Sequence, residues 1–232
     1  MRLESFYKDD GLVSLISDGS IDFAPADFDS PLGNAQRAYL KKECGVNIPR
    51  VFWRKQAHGD NIIEAKGGAG ASKGCPDADA YITDEKKLPI AIRTADCVPV
   101  FIFDPVHRAI GLAHAGWRGT YKSIAAKTVL GMMEKYASQP ADLRIVLGPS
   151  IRDCCYKVGE EFRHYFPDFV RDRGGYLFAD VVGANRDQLI KAGVRQENIL
   201  DSGICTCCNK EYYSCRRDGA SAGRMISLMM LI

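Results

Sequence analysis

The sequence has almost no net charge, few histidines and no long hydrophobic run. Its 31 Lys and Arg residues nearly balance 29 Asp and Glu residues, whereas proteins that bind a phosphate backbone usually carry a clear basic excess. The longest apolar run covers residues 225–232 and falls short of the roughly 20 residues that span a bilayer. The first ten residues lack the apolar segment of a signal peptide. We therefore expect neither nucleic acid nor a membrane as a partner.

Cysteine, by contrast, is abundant, with nine residues in 232. The number is odd and Cys154 and Cys155 are adjacent, which suits a framework of paired disulfides poorly. The pattern predicts a reducing compartment and a cytoplasmic location. A second cysteine group contains one C-x-x-C pair but no further pair at zinc-ribbon spacing, so a structural metal there is the less favoured interpretation. That group consists of Cys205, Cys207, Cys208 and Cys215.

The chain shows no repeat, linker or low-complexity tract, so we expect a single domain over residues 1–232. Short segments rich in β-branched and aromatic residues predict strands at 51–55, 62–65, 78–83, 89–94, 97–103, 108–113, 143–147, near 199, 212–215 and 225–232. Apolar periodicity and capping signals predict helices at 30–45, 120–136, 160–166 and 185–192. Hairpin-like and helix-linked strands together indicate an α+β fold with mixed β-sheets flanked by helices.

The most informative segment is a predicted hairpin that contains Cys97 and His114. If residues 104–107 form its loop, Phe103 faces Arg108 and Cys97 faces His114. Directly opposed residues on one sheet face have Cβ atoms about 4.5 to 5.5 Å apart, which allows a thiolate and an imidazole to share a metal ion. The structural alternative, favoured on this segment alone, is a small buried cysteine and an ordinary histidine at a strand end.

A third ligand candidate, His58, stands where a predicted strand meets a Gly-Asp turn. Two histidines and one cysteine would leave the fourth tetrahedral position open, as in catalytic zinc sites and unlike closed structural ones. Such a site can lower the pKa of bound water towards about 7. The other two histidines need no functional explanation, since His107 lies in the hairpin loop and His164 on an exposed helix.

Arg118 follows His114 in a glycine-punctuated turn that leads into a helix. Backbone N–H groups and the guanidinium there would suit a phosphate or a carboxylate, and a structural ion pair is an equally good interpretation. Residues 67–74 form a glycine-rich segment without the spacing of a P-loop, which we interpret as a mobile loop near the site. Asp77 and Asp79 could position substrate, although turn capping is the favoured role.

Several motifs in combination resemble the YfiH-like family of purine nucleoside phosphorylases, also known as laccase-domain or polyphenol oxidase proteins. They are Gln56-Ala-His-Gly-Asp60, Thr94-Ala-Asp-Cys-Val-Pro99, His114-Ala-Gly-Trp-Arg-Gly119, Gly148-Pro-Ser-Ile151 and the tail from Arg216 to Met225. The resemblance covers nearly the whole chain. It implies metal ligands at His58, Cys97 and His114, zinc with copper as a possibility, and a fold similar in plan to a toxin family of cysteine hydrolases.

The function implied by this resemblance is phosphorolysis of adenosine, inosine or S-methyl-5′-thioadenosine, with adenosine deaminase activity as a second reaction. The partners are then a purine nucleoside and phosphate, for a monomer or a small homo-oligomer. Three alternatives stay open: a hydrolase with Cys97 as nucleophile and His114 as base, a copper-dependent polyphenol oxidase, and a non-catalytic zinc-stabilised interaction domain. Copper oxidation is the weakest, because multicopper chemistry needs more than four histidines.

Overall fold

Twelve strands and six α-helices lie in the part of the chain that the structure, a computed structural model, describes: residues 11–24, 32–67 and 76–232. The strands are β1 (Leu12–Ile16), β2 (Ile62–Glu64), β3 (Ala80–Thr83), β4 (Ile90–Thr94), β5 (Val98–Asp104), β6 (Ala109–Ala115), β7 (Arg144–Leu147), β8 (Lys157–Val158), β9 (Val170–Arg173), β10 (Tyr176–Ala179), β11 (Ile199–Asp201) and β12 (Met225–Leu231). The helices are α1 (Asn34–Cys44), α2 (Trp117–Tyr121), α3 (Ile124–Tyr136), α4 (Phe162–Tyr165), α5 (Val181–Lys191) and α6 (Cys215–Asp218).

The strands form one mixed sheet and two antiparallel ones. The six-stranded sheet has the order β11-β7-β5-β6-β3-β2, with parallel pairing at its two outer pairs and antiparallel pairing between. The two small sheets have the orders β1-β12-β4 and β8-β10-β9. The structure therefore confirms the α+β fold class, with the mixing of strand directions confined to the large sheet.

The six-stranded sheet and the β1-β12-β4 sheet stack face to face between helices. Alternate residues of β5 divide between two cores: Val100 and Ile102 join the cluster under α3 and α5, whereas Phe101 and Phe103 join the cluster between the sheets. Successive side chains along a strand point to opposite faces of the sheet, which causes this division. A third cluster packs α1 against the outer face of the β1-β12-β4 sheet. The molecule thus has four layers: helices, large sheet, small sheet, helix.

The β5–β6 hairpin forms as expected, but its predicted register is wrong by two positions. The four-residue loop covers residues 105–108, so Asp104 pairs with Ala109 and Pro99 pairs with His114. The Asp104 carboxylate accepts hydrogen bonds from the backbone N–H groups of Val106 and His107, which fixes the turn one residue later than predicted. A shift of two keeps every side chain on its face, so Cys97 and His114 stay on one side of the hairpin.

Two predicted strands are wrong. Residues 51–55 make only an isolated bridge from Phe52 to Ile90, because side chains bind the neighbouring backbone: the Arg54 N–H donates to the Tyr81 hydroxyl. Residues 212–215 lead instead into α6, where the Ser214 hydroxyl accepts a hydrogen bond from the Arg217 N–H as a helix cap. Strands β1, β8, β9 and β10 were not predicted.

The four predicted helices are present but shift at their ends, and the one predicted at 120–136 is divided into α2 and α3. Helix α1 stops at Gly45, whose φ of 74° is left-handed as expected for a helix end; the predicted start at residues 30–31 lies outside the described residues. Helix α5 begins four residues early, because the Asp180 side chain caps it through the Gly183 N–H. None of the helices in the described ranges is long and apolar enough to cross a membrane.

Candidate metal and substrate site

His58, Cys97 and His114 come together at one point, although they lie far apart in the chain. One ligand atom from each residue lies within 4.8 Å of the other two. The two imidazole rings meet edge to face, with centroids 4.8 Å apart and an interplanar angle of 77°. Two nitrogens and one sulfur at such separations can coordinate one metal ion.

Strand ends position two of these side chains and a strained bend positions the third. His114 lies in β6, and Cys97 precedes β5 by one residue. His58 has a φ of 57°, a left-handed conformation unusual for a residue other than glycine. The Gln56 side chain holds this bend by pairing with the backbone of Arg93, through two hydrogen bonds of 2.8 Å.

Asp79, which is fully buried, connects the bend to His114. Its carboxylate accepts hydrogen bonds from the backbone N–H groups of His58 (3.0 Å) and Gly59 (2.7 Å). It also lies 2.8 Å from Nδ1 of His114. A histidine that donates Nδ1–H to a carboxylate has Nε2 available for a metal, so Asp79 orients both His114 and the loop that carries His58. The prediction of turn capping for Asp79 captured only the backbone contacts.

The charges of the site favour a thiolate. Burial alone would raise the pKa of Cys97, but the charge of His114 and hydrogen bonds with both histidines lower it to about 6. Burial alone would lower the pKa of His114, but Cys97 and Asp79 raise it to about 9. Burial also opposes ionisation of Asp79, yet its hydrogen bond with His114 helps to lower its pKa overall. The sulfur is therefore ready to serve as a metal ligand or as a nucleophile.

Gly116 leaves the space that the site needs. A Cβ atom at this position would lie 3.0 Å from the Cys97 sulfur and 3.2 Å from Cδ2 of His58. These distances are shorter than ordinary van der Waals contacts between such atoms. The glycine that follows β6 therefore permits the close approach of the two side chains.

The three residues open into a cavity of about 460 Å³. Three cationic side chains also line this cavity: Lys55, Arg93 and Arg224. The Arg93 guanidinium donates to the backbone carbonyl oxygens of Phe23 and Ala24, which fixes its position. The volume lies within the range typical of small-molecule sites, and the positive lining suits an anionic ligand.

Arg118 lies outside the lining of this cavity. It is exposed, and its guanidinium carbon lies 4.3 Å from the centroid of the neighbouring Trp117 ring. The glycine-rich segment at 67–74 is largely outside the described residues, which resume at residue 76. His107 lies in the hairpin loop and bonds to Asp104, and His164 is exposed on α4, so both agree with the prediction.

The cationic lining of the cavity was not predicted from the sequence. Arg93 had a signal, because it is a charged residue inside the apolar strand β4. Arg224 lies in the tail motif from Arg216 to Met225, but no binding role was predicted for it, and Lys55 had no signal. The second cysteine group also differs from the prediction, because the structure brings Cys154 and Cys155 together with Cys205 and Cys208 and leaves out Cys207 and Cys215.

A family model described as multi-copper polyphenol oxidoreductase laccase matches residues 22–232. The chain belongs to this family. It is 35% identical over 192 residues to a Clostridium acetobutylicum protein named purine nucleoside phosphorylase, covering 79% of this chain and 78% of that protein. It is 33% identical over 213 residues to the Bacillus subtilis purine nucleoside phosphorylase YlmD, covering 83% of this chain and 75% of that one.

The fold is also that of a solved family member. The crystal structure of the Bacillus licheniformis hypothetical protein YfiH superposes with a TM-score of 0.86 at 28% identity, over 100% of this chain and 96% of the other. The resemblance to the YfiH-like family predicted from the motifs is therefore confirmed.

Proposed function

We propose that this chain is a zinc-dependent purine nucleoside phosphorylase, which acts on adenosine, inosine and S-methyl-5′-thioadenosine and also deaminates adenosine. The observation that carries the proposal is the convergence of His58, Cys97 and His114 on a cavity with a cationic lining. Relatives named purine nucleoside phosphorylase support the choice of reaction.

The three side chains fit a zinc ion by the chemistry of their donor atoms. Zinc binds imidazole nitrogen and thiolate sulfur, and catalytic zinc sites use three protein ligands. Asp79 supplies the carboxylate partner that metal-bound histidines usually have, and the depressed pKa of Cys97 favours the thiolate that a metal requires. Zinc held here would supply Lewis-acid chemistry and acidify water. Copper, which also binds these ligands, is the alternative metal.

The cavity walls would bind and orient the two substrates. In phosphorolysis a phosphate oxygen bonds to C1′ of the ribose while the bond from C1′ to the purine nitrogen breaks, giving ribose 1-phosphate and the free base. A cavity of about 460 Å³ accommodates a nucleoside. The cationic side chains of Lys55, Arg93 and Arg224 would hold the phosphate, since guanidinium and ammonium groups match its charge.

Arg224, in the cavity lining, is a candidate for the principal phosphate ligand, and Arg118, which lies outside that lining at the start of α2, is the candidate proposed from the sequence. Loss of a charge-assisted contact of about 1.5 to 3 kcal/mol weakens affinity roughly 10- to 150-fold. We expect Arg224→Ala to raise the phosphate KM by this amount and to change phosphate-free deamination of adenosine much less. Arg118→Ala tests the same role for Arg118. If either variant slows phosphorolysis and deamination to the same extent, the arginine that it lacks does not bind phosphate.

A specific observation favours a second candidate, a cysteine hydrolase. Cys97, His114 and Asp79 form the nucleophile, base and orienting carboxylate of a catalytic triad, and the pKa of Cys97 is already lowered to about 6. His58 is the discriminating residue, because the triad does not need it whereas the metal site does.

The experiment is product analysis with purified protein. Adenosine is incubated with and without phosphate, before and after zinc removal, and the products are separated by chromatography. We expect adenine and ribose 1-phosphate only with phosphate, inosine in both cases, and neither reaction after zinc removal. Unchanged adenine formation after zinc removal would contradict the proposal. In a parallel assay with amide substrates, cleavage that survives both zinc removal and the change His58→Ala would favour the hydrolase.

A further inference from the structure

A second cluster of sulfur atoms lies outside the lining of the cavity, where two loops meet. Cys154 and Cys155 lie in the loop between β7 and β8, and Cys205 and Cys208 lie in the loop after β11. All four sulfur atoms lie within 4.8 Å of one another. These are cysteines from parts of the chain about 50 positions apart, so the fold rather than the local sequence brings them together.

The separations match those of a tetrahedral metal site. The sulfur of Cys208 lies 3.3 Å from that of Cys155 and 3.7 Å from that of Cys154, and the two adjacent cysteines have sulfurs 3.9 Å apart. Four sulfurs placed tetrahedrally about 2.3 Å from a zinc ion would lie about 3.8 Å apart. A disulfide would use only two of the four and needs sulfurs about 2.05 Å apart.

The Cys205–Cys208 turn carries a further feature of metal-binding cysteine pairs. Burial opposes ionisation of Cys205, but backbone N–H groups, including those of Cys208 and Cys207, point at its sulfur and lower its pKa. The C-x-x-C turn thereby stabilises negative charge on sulfur. Partial burial and hydrogen bonds with Cys205 and Cys208 instead raise the pKa of Cys154 to about 12, although the hydrogen bond with Cys155 lowers it. Crowded sulfurs resist ionisation until a cation compensates their charge.

Contacts that do not involve the sulfur atoms hold the two loops together. Ser150 and Cys205 form a parallel bridge, with the Thr206 N–H donating to the Ser150 carbonyl. The Arg152 guanidinium donates to both carboxylate oxygens of Asp201. The four sulfurs are therefore brought into range by contacts that do not involve them, as a preformed site requires.

We propose that Cys154, Cys155, Cys205 and Cys208 bind a structural zinc ion that joins these two loops. Four thiolates close the coordination sphere and leave no position for substrate or water, which distinguishes this site from the one at Cys97. Binding displaces the thiol protons and leaves a doubly negative centre.

The site would also support the cavity region. The Asp96 carboxylate, adjacent to Cys97, accepts hydrogen bonds from the Thr206 hydroxyl (2.7 Å) and the Arg216 N–H (2.7 Å). The Asp96 carbonyl accepts the N–H of Ile151. Both cysteine loops are thus anchored next to Cys97, and loosening them should disturb the segment that positions it.

The test measures zinc in a background that lacks the other site. Cys97→Ser protein, purified with zinc and reductant, should retain about one zinc per chain, and Cys97→Ser/Cys208→Ser protein should retain almost none. Cys97→Ser/Cys207→Ser protein is the matched control and should keep its zinc, because Cys207 lies in the same loop outside the four. Equal zinc content in all three variants would overturn the proposal, and so would zinc loss in the control.

A second measurement uses the unmodified chain and does not depend on a variant that folds. Alkylation followed by mass spectrometry should find Cys154, Cys155, Cys205 and Cys208 protected in zinc-loaded protein and reactive after a chelator is added. Cys207 should react to the same extent in both states. Unchanged reactivity of the four, or a disulfide among them in reduced protein, would contradict the metal site.

Discussion

The two clusters of candidate metal ligands in this molecule differ in their donor atoms and in their surroundings. His58, Cys97 and His114 offer three donors beside a cavity of about 460 Å³, and Asp79 orients one of them. Cys154, Cys155, Cys205 and Cys208 offer four sulfurs where two loops meet. The first arrangement suits chemistry on a substrate, and the second suits stabilisation of the fold.

Cysteine content alone therefore does not identify function. The sheets provide the first cluster, since β6 and the residue before β5 place His114 and Cys97 on one side of a hairpin. Loop contacts such as Arg152 with Asp201 provide the second. Damage to the first cluster should therefore remove activity with little loss of stability, and damage to the second should chiefly lower stability.

The largest effect is expected for Cys97→Ala, which removes a proposed metal ligand. Removing a residue that only orients a metal ligand typically lowers metal affinity or activity by about 10- to 100-fold. Removing a ligand itself should therefore lower turnover by more than about 100-fold. Zinc at this site should be lost while unfolding stays cooperative. Cys44→Ala, at the end of α1, is the control and should keep full turnover. Full activity in Cys97→Ala would remove the proposed role.

Asp79→Asn should have the next largest effect, because an amide cannot replace the charge that holds the Nδ1–H tautomer of His114. We expect a loss of about 10- to 100-fold in zinc affinity or turnover. The matched control is Asp77→Asn, whose carboxylate makes a surface ion pair of 3.8 Å with Lys55. Zinc titrations of both variants provide the measurement. Equal behaviour would show that Asp79 has no orienting role.

Gly116→Ala should disturb the same site by crowding. The new methyl group would approach the Cys97 sulfur at 3.0 Å, and overpacking of this kind costs about 1 to 3 kcal/mol. Weaker zinc binding should accompany the loss. Gly131→Ala in α3 is the control, because its Cβ would meet only Ile82 at 3.6 Å and alanine favours a helix. Denaturant unfolding should show a loss for the first variant and a small gain for the second.

The smallest effect concerns the loop contact between Arg152 and Asp201. Burial opposes ionisation of Asp201, but hydrogen bonds from Arg152 and Gly203 lower its pKa in the folded state. Its stabilisation is therefore present above the unfolded pKa, about 3.9, and is lost as the pH falls through the folded pKa. Asp201→Asn should cost about 1.5 kcal/mol at neutral pH and less near pH 3.

Urea unfolding at the two pH values measures this difference. The exposed pair of Asp187 and Lys191 offers a control, since Asp187→Asn should change stability little at either pH. An identical loss for Asp201→Asn at both pH values would show that its charge is not responsible.

The proximity of Cys97 to His114 in the first cluster could be predicted from the sequence, because side chains alternate between the two faces of a hairpin. A two-residue error in register left Cys97 and His114 on the same side, as a period of two requires. The role of Asp79 could not be predicted, since it depends on how β3 lies beside β6. The second cluster could not be predicted either, because no local spacing relates Cys154 to Cys208. The strand β8 was also missed, because it has only two residues and depends on pairing with β10, a distant part of the chain.

The most direct test of the account is adenine formation from adenosine and phosphate as a function of zinc bound to initially metal-free protein. We expect no turnover without metal, and turnover that rises with bound zinc and saturates once His58, Cys97 and His114 are loaded. His58→Ala protein should stay inactive at every zinc concentration. Turnover of metal-free protein at the rate of the zinc-loaded protein would contradict the account.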